Sequence, residues 1–245
     1  MLTQSPDADW IAEHRRVWEQ KASLRAVYER WFTQLHDACV PGAPVVELGC
    51  GAGLFKQRYP EVLATDAAMN PYADRIVDAS ALPFADASVG TYVMLDVFHH
   101  LPEPARFLAE AARTLLPGGR VVMIEPWVGL AGRLLYRYVH HEECDLGVDP
   151  AAPWNRADKD HMQGNVALPY LYFRPGGHLG ALDVPLRVVR REPFAALPWL
   201  LSGGFQPFSL LAPSLATAAH ALDRMLSTVP ALTATRCTLI LERRS

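Results

Sequence analysis

Residues Val45 to Phe55 read Val-Val-Glu-Leu-Gly-Cys-Gly-Ala-Gly-Leu-Phe, and they hold the densest chemistry in the chain. Val45 and Val46 look like the end of a buried strand. Glu47 follows, then glycines at the alternating positions 49, 51 and 53. A strand that turns through glycines into a helix leaves free N–H groups at the turn, and glycine lets a ligand approach the backbone closely. Such a turn suits a nucleotide-like ligand. The dinucleotide fingerprint G-x-G-x-x-G would start at Gly49 and require a small residue at position 54, which is Leu54. A pyrophosphate would be repelled by Glu47, whereas a ligand carrying an ammonium group would be attracted.

Glu47-Leu48-Gly49-Cys50-Gly51-Ala52-Gly53 resembles the first motif of the class I S-adenosylmethionine (SAM) dependent methyltransferases. Further segments are similar to that family in order and spacing: Val62–Asp66 to a second strand ending in an acid, Asp78–Phe84 to the loop beside adenine, Tyr92–Leu101 to the fourth strand and its exit, and Leu116–Pro126 to the fifth strand. The likeness covers roughly residues 40 to 126, and its nearest subgroup is the small-molecule, ubiquinone or natural-product type. Gly90 stands where the family often has an acid before the fourth strand. The resemblance implies that Glu47 meets the methionine ammonium and that Gly49, Cys50, Gly51 and Gly53 pack on methionine and ribose. It implies that Asp66, 17 residues after Gly49, takes the ribose diol. It puts Asp78 and Ala79 at the adenine and Asp96 on the cofactor rim. For Asp78 a turn-capping aspartate is the rival reading.

A methyl group on a sulfonium is already activated, so alignment supplies much of the rate, with proton removal where the acceptor needs it. His99 and His100 sit at the exit of the fourth strand; imidazole titrates near neutrality, so one of the two is the candidate general base, while the other packs or caps the next helix before Pro102. Glu125 ends the fifth strand on the same rim, because ligands bind outside the carboxyl ends of parallel strands. His140-His141-Glu142-Glu143-Cys144-Asp145 is dense in ligand-type side chains. Adjacent histidines on a helix or strand diverge, however, so no metal is expected there, and His140 and His141 are read as substrate contacts. Tyr28, in an amphipathic N-terminal stretch, is a further substrate candidate.

These residues need a sheet to position them. Strand and helix patterns alternate over residues 43–126, which predicts an α/β fold: a Rossmann-like, doubly wound, mostly parallel seven-stranded sheet. The expected organisation is an N-terminal helical segment (1–40), a SAM-binding core (41–126), an inserted substrate cap (127–185) and a C-terminal completion of the sheet (186–245). Within it, 7–38 reads as an amphipathic helical segment, 105–116 as a helix stopped by Gly118-Gly119, 206–211 as a strand and 237–242 as the final strand.

The 245 residues are half hydrophobic, one fifth charged and carry a net charge of −3, which leaves no electrostatic footprint for nucleic acid. Cys39, Cys50, Cys144 and Cys237 lie far apart without paired spacing, as free thiols in a reducing compartment would. The polar start is unlike a signal peptide and no apolar run is long enough to span a bilayer, so a cytoplasmic location away from membrane is expected. The expected activity is methyl transfer from SAM to a small molecule. A SAM-binding enzyme of other chemistry and a non-catalytic SAM-fold binding protein remain alternatives.

Overall fold

The computed structural model describes residues 6–139, 142–153 and 164–244. Seven strands form one sheet: β1 (Val45–Leu48), β2 (Leu63–Asp66), β3 (Arg75–Ile76), β4 (Val89–Leu95), β5 (Leu115–Pro126), β6 (Leu186–Phe194) and β7 (Arg236–Arg243). Their order is β3-β2-β1-β4-β5-β7-β6. The β1–β2, β1–β4, β2–β3 and β4–β5 pairs are parallel, whereas β7 is antiparallel to both β5 and β6. The central strands are nearly all apolar, as strands covered on both faces must be: Val93, Met94, Val121, Val122, Met123 and Ile124 are all at most 1% exposed.

Two cores flank the sheet. On one side α1 (Pro6–Gln20), α2 (Ala22–Asp37) and α3 (Leu54–Arg58) bring in Leu24, Val27, Trp31, Phe32, Leu35 and Phe55. On the other, α4 (Pro104–Thr114) and α6 (Leu168–Phe173) bring in Phe107, Leu108, Leu168, Tyr172 and Phe173. Between them in sequence α5 (Leu130–Tyr138) runs against α9 (Pro230–Thr233), close enough that a Cβ at Gly132 would stand 2.9 Å from the carbonyl of Ala234, just after α9. Helices α7 (Leu197–Ser202) and α8 (Ala216–Leu226) complete the stretch between β6 and β7. No helix among the described residues is long and apolar enough to cross a membrane.

Three local expectations are corrected. The stretch 7–38 is two helices, because Lys21 leaves helical geometry at φ −114°, ψ 86° and its ammonium is held 2.7 Å from the carbonyls of Gly204 and Gln206. Helix α4 ends at Thr114, where Leu115 turns extended, and Gly118-Gly119 lies inside β5 at its register shift. No strand forms at 206–211; the penultimate strand is β6, which fills the sheet edge beside β7. Within the expected cap, Tyr172 and Phe173 belong to the core: both are at most 1% exposed and pack on Phe98 at ring separations of 5.3 and 4.8 Å.

Candidate active site

The carboxyl ends of β1, β2, β4 and β5 meet on one rim. The turn after β1 is shaped by Gly49 and Gly53, with φ of +67° and +66°. A Cβ at Gly49 would stand 2.7 Å from Val97 Cγ2, and one at Gly53 2.6 Å from Tyr72 Cβ, so both the backbone angle and the space demand glycine. The turn is tied to β2: the Cys50 amide donates to the Thr65 carbonyl at 2.9 Å, and the Thr65 hydroxyl donates to the Glu47 carbonyl at 2.7 Å.

Asp66 sits at the end of β2, beside the turn. Its Oδ2 accepts from the Gly51 amide at 3.1 Å and from Asn70 Nδ2 at 2.8 Å, and its Oδ1 accepts from the Ala67 amide. Asn70 also donates to the Gly51 carbonyl at 2.7 Å, making a brace between carboxylate and turn. Sequence reasoning missed Asn70; its four-residue offset from Asp66 was the available signal. Asp78 is exposed, and its Oδ1 accepts from both the Ser80 amide and hydroxyl at 2.8 Å, the turn-capping role that rivalled adenine contact.

Glu47 lies beneath the turn, 7% exposed, and its Oε2 has no hydrogen-bond partner. Burial, reinforced by the neighbouring Asp66 charge, pushes its carboxyl up to about 8. A buried, unpaired carboxyl of this kind is best satisfied by a cation. Helix α1 crosses above: a Cβ at Gly51 would lie 3.6 Å from the Trp10 indole, and Arg15 donates to the Ala52 carbonyl at 2.7 Å while covering the Tyr72 ring.

The second half of the rim follows β4 and β5. Glu125 is fully buried; its Oε1 accepts from the Val97 and Phe98 amides at 2.8 Å, and its Oε2 lies 2.7 Å from His99 Nδ1. The other ring nitrogen of His99, Nε2, is 3.0 Å from Glu142 Oε2. Burial depresses the His99 pKa, but the hydrogen bonds to Glu125 and Glu142 outweigh it and raise the group to about 9. The two carboxylates thus favour the protonated ring over the neutral imidazole that a general base would use. His100 is partly exposed, its Nε2 3.9 Å from Glu142 Oε1. His140 and His141 lie outside the described residues.

Asp96 holds a left-handed backbone, φ +59°, at the end of β4 and pairs with Arg236. Arg236 opens β7, is 3% exposed, and stacks 4.2 Å from the Trp199 ring and 5.6 Å from Trp31. Sequence reasoning missed it, because only the antiparallel return of β7 beside β5 brings it to the rim. Tyr28 is 6% exposed, enclosed by Trp18, Trp31, Phe32 and Phe205. A cavity of about 770 Å³ opens between α2, β6 and α8, with Trp31 and Trp199 in its wall. It adjoins the rim through the two indoles that stack on Arg236.

Residues 46–123 match the family described as a methyltransferase domain. The chain is 33% identical over 112 residues to the demethylmenaquinone methyltransferase of Renibacterium salmoninarum, covering 39% of this chain and 47% of that one. It is 41% identical over 54 residues to the 27-O-demethylrifamycin SV methyltransferase of Amycolatopsis mediterranei, 20% of each chain. The chain thus spans less than half the length of the curated relatives it matches. In fold it is similar to a Haloferax volcanii methyltransferase solved with the Trm112 activator, at TM-score 0.53 and 15% identity over 97% of this chain and 96% of that one. A second likeness is to geranyl diphosphate C-methyltransferase of Streptomyces coelicolor, at TM-score 0.51 and 16% identity over 89% and 76% of the two chains.

Proposed function

We propose, from the methyltransferase domain carried by residues 46–123, that the protein transfers the methyl group of SAM to a small-molecule acceptor. The observation that carries the reading is the orphan carboxylate oxygen of Glu47, buried under a glycine turn at the end of β1. The methionine ammonium of SAM is the cation that would satisfy it. Asp66 is already aimed at the turn by Asn70 and the Gly51 amide, and its carboxylate would take the ribose hydroxyls. Gly49, Cys50 and Gly53 would line the methionine and ribose, Ala79 and Asp78 the adenine. SAM supplies an electrophilic methyl group; the protein's part is to hold it in line with a nucleophile and to exclude water.

His99, held between the Glu125 and Glu142 carboxylates, would serve by position and by the electrostatics of that line. The small-molecule assignment is supported by the demethylmenaquinone and demethylrifamycin methyltransferases among the relatives. Four free cysteines, three of them buried, support a reducing compartment such as the cytoplasm.

Calorimetry with SAM, S-adenosylhomocysteine and NAD tests the ligand. Binding of the first two without the third is expected, and NAD binding without SAM binding would overturn the proposal. S-adenosylhomocysteine release with hydroquinone or phenolic polyketide acceptors tests the transfer itself.

A further inference from the structure

The Glu125–His99–Glu142 line has the make-up of a metal centre. Adjacent histidines diverge on a helix or strand, but His99 and His100 lie on a 3₁₀ turn (Phe98–His100), where their ring centroids stand 4.1 Å apart. Both Nε2 atoms face the Glu142 carboxylate, at 3.0 and 3.9 Å, and one ligand atom from each of the three residues lies within 4.8 Å of the others. Tetrahedral zinc, with ligand bonds of about 2.0–2.2 Å, needs ligand atoms roughly 3.3–3.5 Å apart. The two imidazole-to-carboxylate distances, 3.0 and 3.9 Å, bracket that spacing, and closing the whole set from within 4.8 Å asks for adjustment of the rings as well as of Glu142.

Two independent observations show a built site. The first is the outer partner: His99 Nδ1 is held by Glu125, itself fully buried and fixed by the Val97 and Phe98 amides. Metal-bound histidines characteristically give their second nitrogen to such a carboxylate, which sets the tautomer and points the free Nε2 at the ion. The second is the backing of the rings and of Glu142. A Cβ at Gly164 would lie 2.9 Å from both His100 Nδ1 and His99 Cδ2, so backbone presses on both imidazoles. The next residue, Asn165, donates its amide to the His99 carbonyl at 3.0 Å. It also holds the 143–145 segment through an isolated bridge to Glu143 and side-chain bonds to Asp145 N and O at 3.0 and 2.9 Å. Three separate chain segments are thereby stitched around one point.

We propose that His99 Nε2, His100 Nε2 and the Glu142 carboxylate bind one divalent transition-metal ion of the zinc class, with Glu125 as the outer-shell partner of His99. Two imidazoles and one carboxylate suit zinc, nickel or cobalt better than magnesium or calcium. The ion takes the place of the Nε2 proton, so His99 binds as neutral imidazole and donates its Nδ1 proton to Glu125. Three protein ligands leave one tetrahedral position open at the rim, as in catalytic zinc sites. The ligands of this site are not those of the SAM cradle, since Glu47 and Asp66 take no part in it.

The test is zinc binding to the full chain after chelator treatment, read by calorimetry without SAM. One Zn²⁺ per chain is expected, with affinity lowered at least tenfold in both His100→Ala and Glu142→Gln. X-ray absorption at the zinc edge of the wild-type protein gives a readout that needs no variant. It should show at least two imidazole nitrogens and an oxygen at about 2.0–2.2 Å, and no sulfur. Absence of stoichiometric zinc, sulfur in the first shell, or variants folded by circular dichroism that bind as tightly as wild type would each overturn the proposal. S-adenosylhomocysteine affinity, measured in the same metal-free samples, reports separately on the SAM cradle.

Discussion

His99 Nδ1 and Glu125 Oε2 stand 2.7 Å apart in a pocket where neither side chain is more than 3% exposed. One carboxylate thus fixes both the backbone after β4 and the ring that follows it. Removing one member of a buried pair costs about 3–5 kcal/mol, since the other is left unmatched. Glu125→Ala should lower unfolding stability by about that amount in urea titrations of the metal-free protein. A loss below about 1 kcal/mol would place the pair among the weak surface contacts, against the geometry.

Glu47 should couple SAM binding to a proton. Its carboxyl stands raised to about 8 without ligand, so at pH 7 it is mostly protonated, and an incoming ammonium would favour the ionised form. Calorimetry at pH 7 in buffers of different ionisation enthalpy should show close to one proton released per SAM, and none in Glu47→Gln. The same shift sets a stability trend. The folded state keeps this proton up to about pH 8, while an unfolded glutamate loses it near its ordinary value of 4.5. Between those values the folded state binds more protons, so the contribution of Glu47 to ligand-free stability falls as pH rises. Glu47→Gln should flatten that slope, and an unchanged slope would locate the titration elsewhere.

Asp66 and Asn70 form one brace. Asp66→Ala should weaken SAM by about 1.5–3 kcal/mol, the range for hydrogen bonds to charged groups. Asn70→Ala should weaken it less, through loosening of the Gly51 turn. Equal affinity in folded Asp66→Ala would show that the ribose is bound by other groups.

Gly49→Ala should abolish SAM binding, because its Cβ would stand 2.7 Å from Val97 Cγ2 at a φ of +67°. The double variant Gly49→Ala/Val97→Ala removes the contact and keeps only the backbone cost of about 1–2 kcal/mol. Partial recovery in the double variant is expected. No recovery would put the whole effect in the backbone angle.

Arg236→Ala should destabilise the rim, because the half-buried Asp96 loses its counter-charge and two indoles lose their cation, a contact worth ~2 kcal/mol when desolvated. Arg236→Lys keeps the charge but not the planar stacking surface, and should fall between Ala and wild type in thermal unfolding.

The sequence by itself determined the strand order's family type, the glycine turn and the acids at the ends of β1 and β2. Each of these is local: a short apolar run, a turn residue with a required φ, and an acid at a fixed offset lie within a few positions of one another. Glu47, Gly49, Gly53 and Asp66 converge because consecutive parallel strands place their ends side by side. What tertiary structure decided is nonlocal. Arg236 meets Asp96 from 140 positions away, through the antiparallel insertion of β7 between β5 and β6. Glu142 meets His99 because Asn165 fixes the segment beside it, and that meeting puts a second carboxylate on a ring already held by Glu125. Tyr28 shares its helix pattern with core residues, and only packing shows it enclosed by aromatic rings. Side-chain chemistry can be read from a motif when its partners are close in sequence. When burial and a distant carboxylate set the protonation state, the partner's position must be known first.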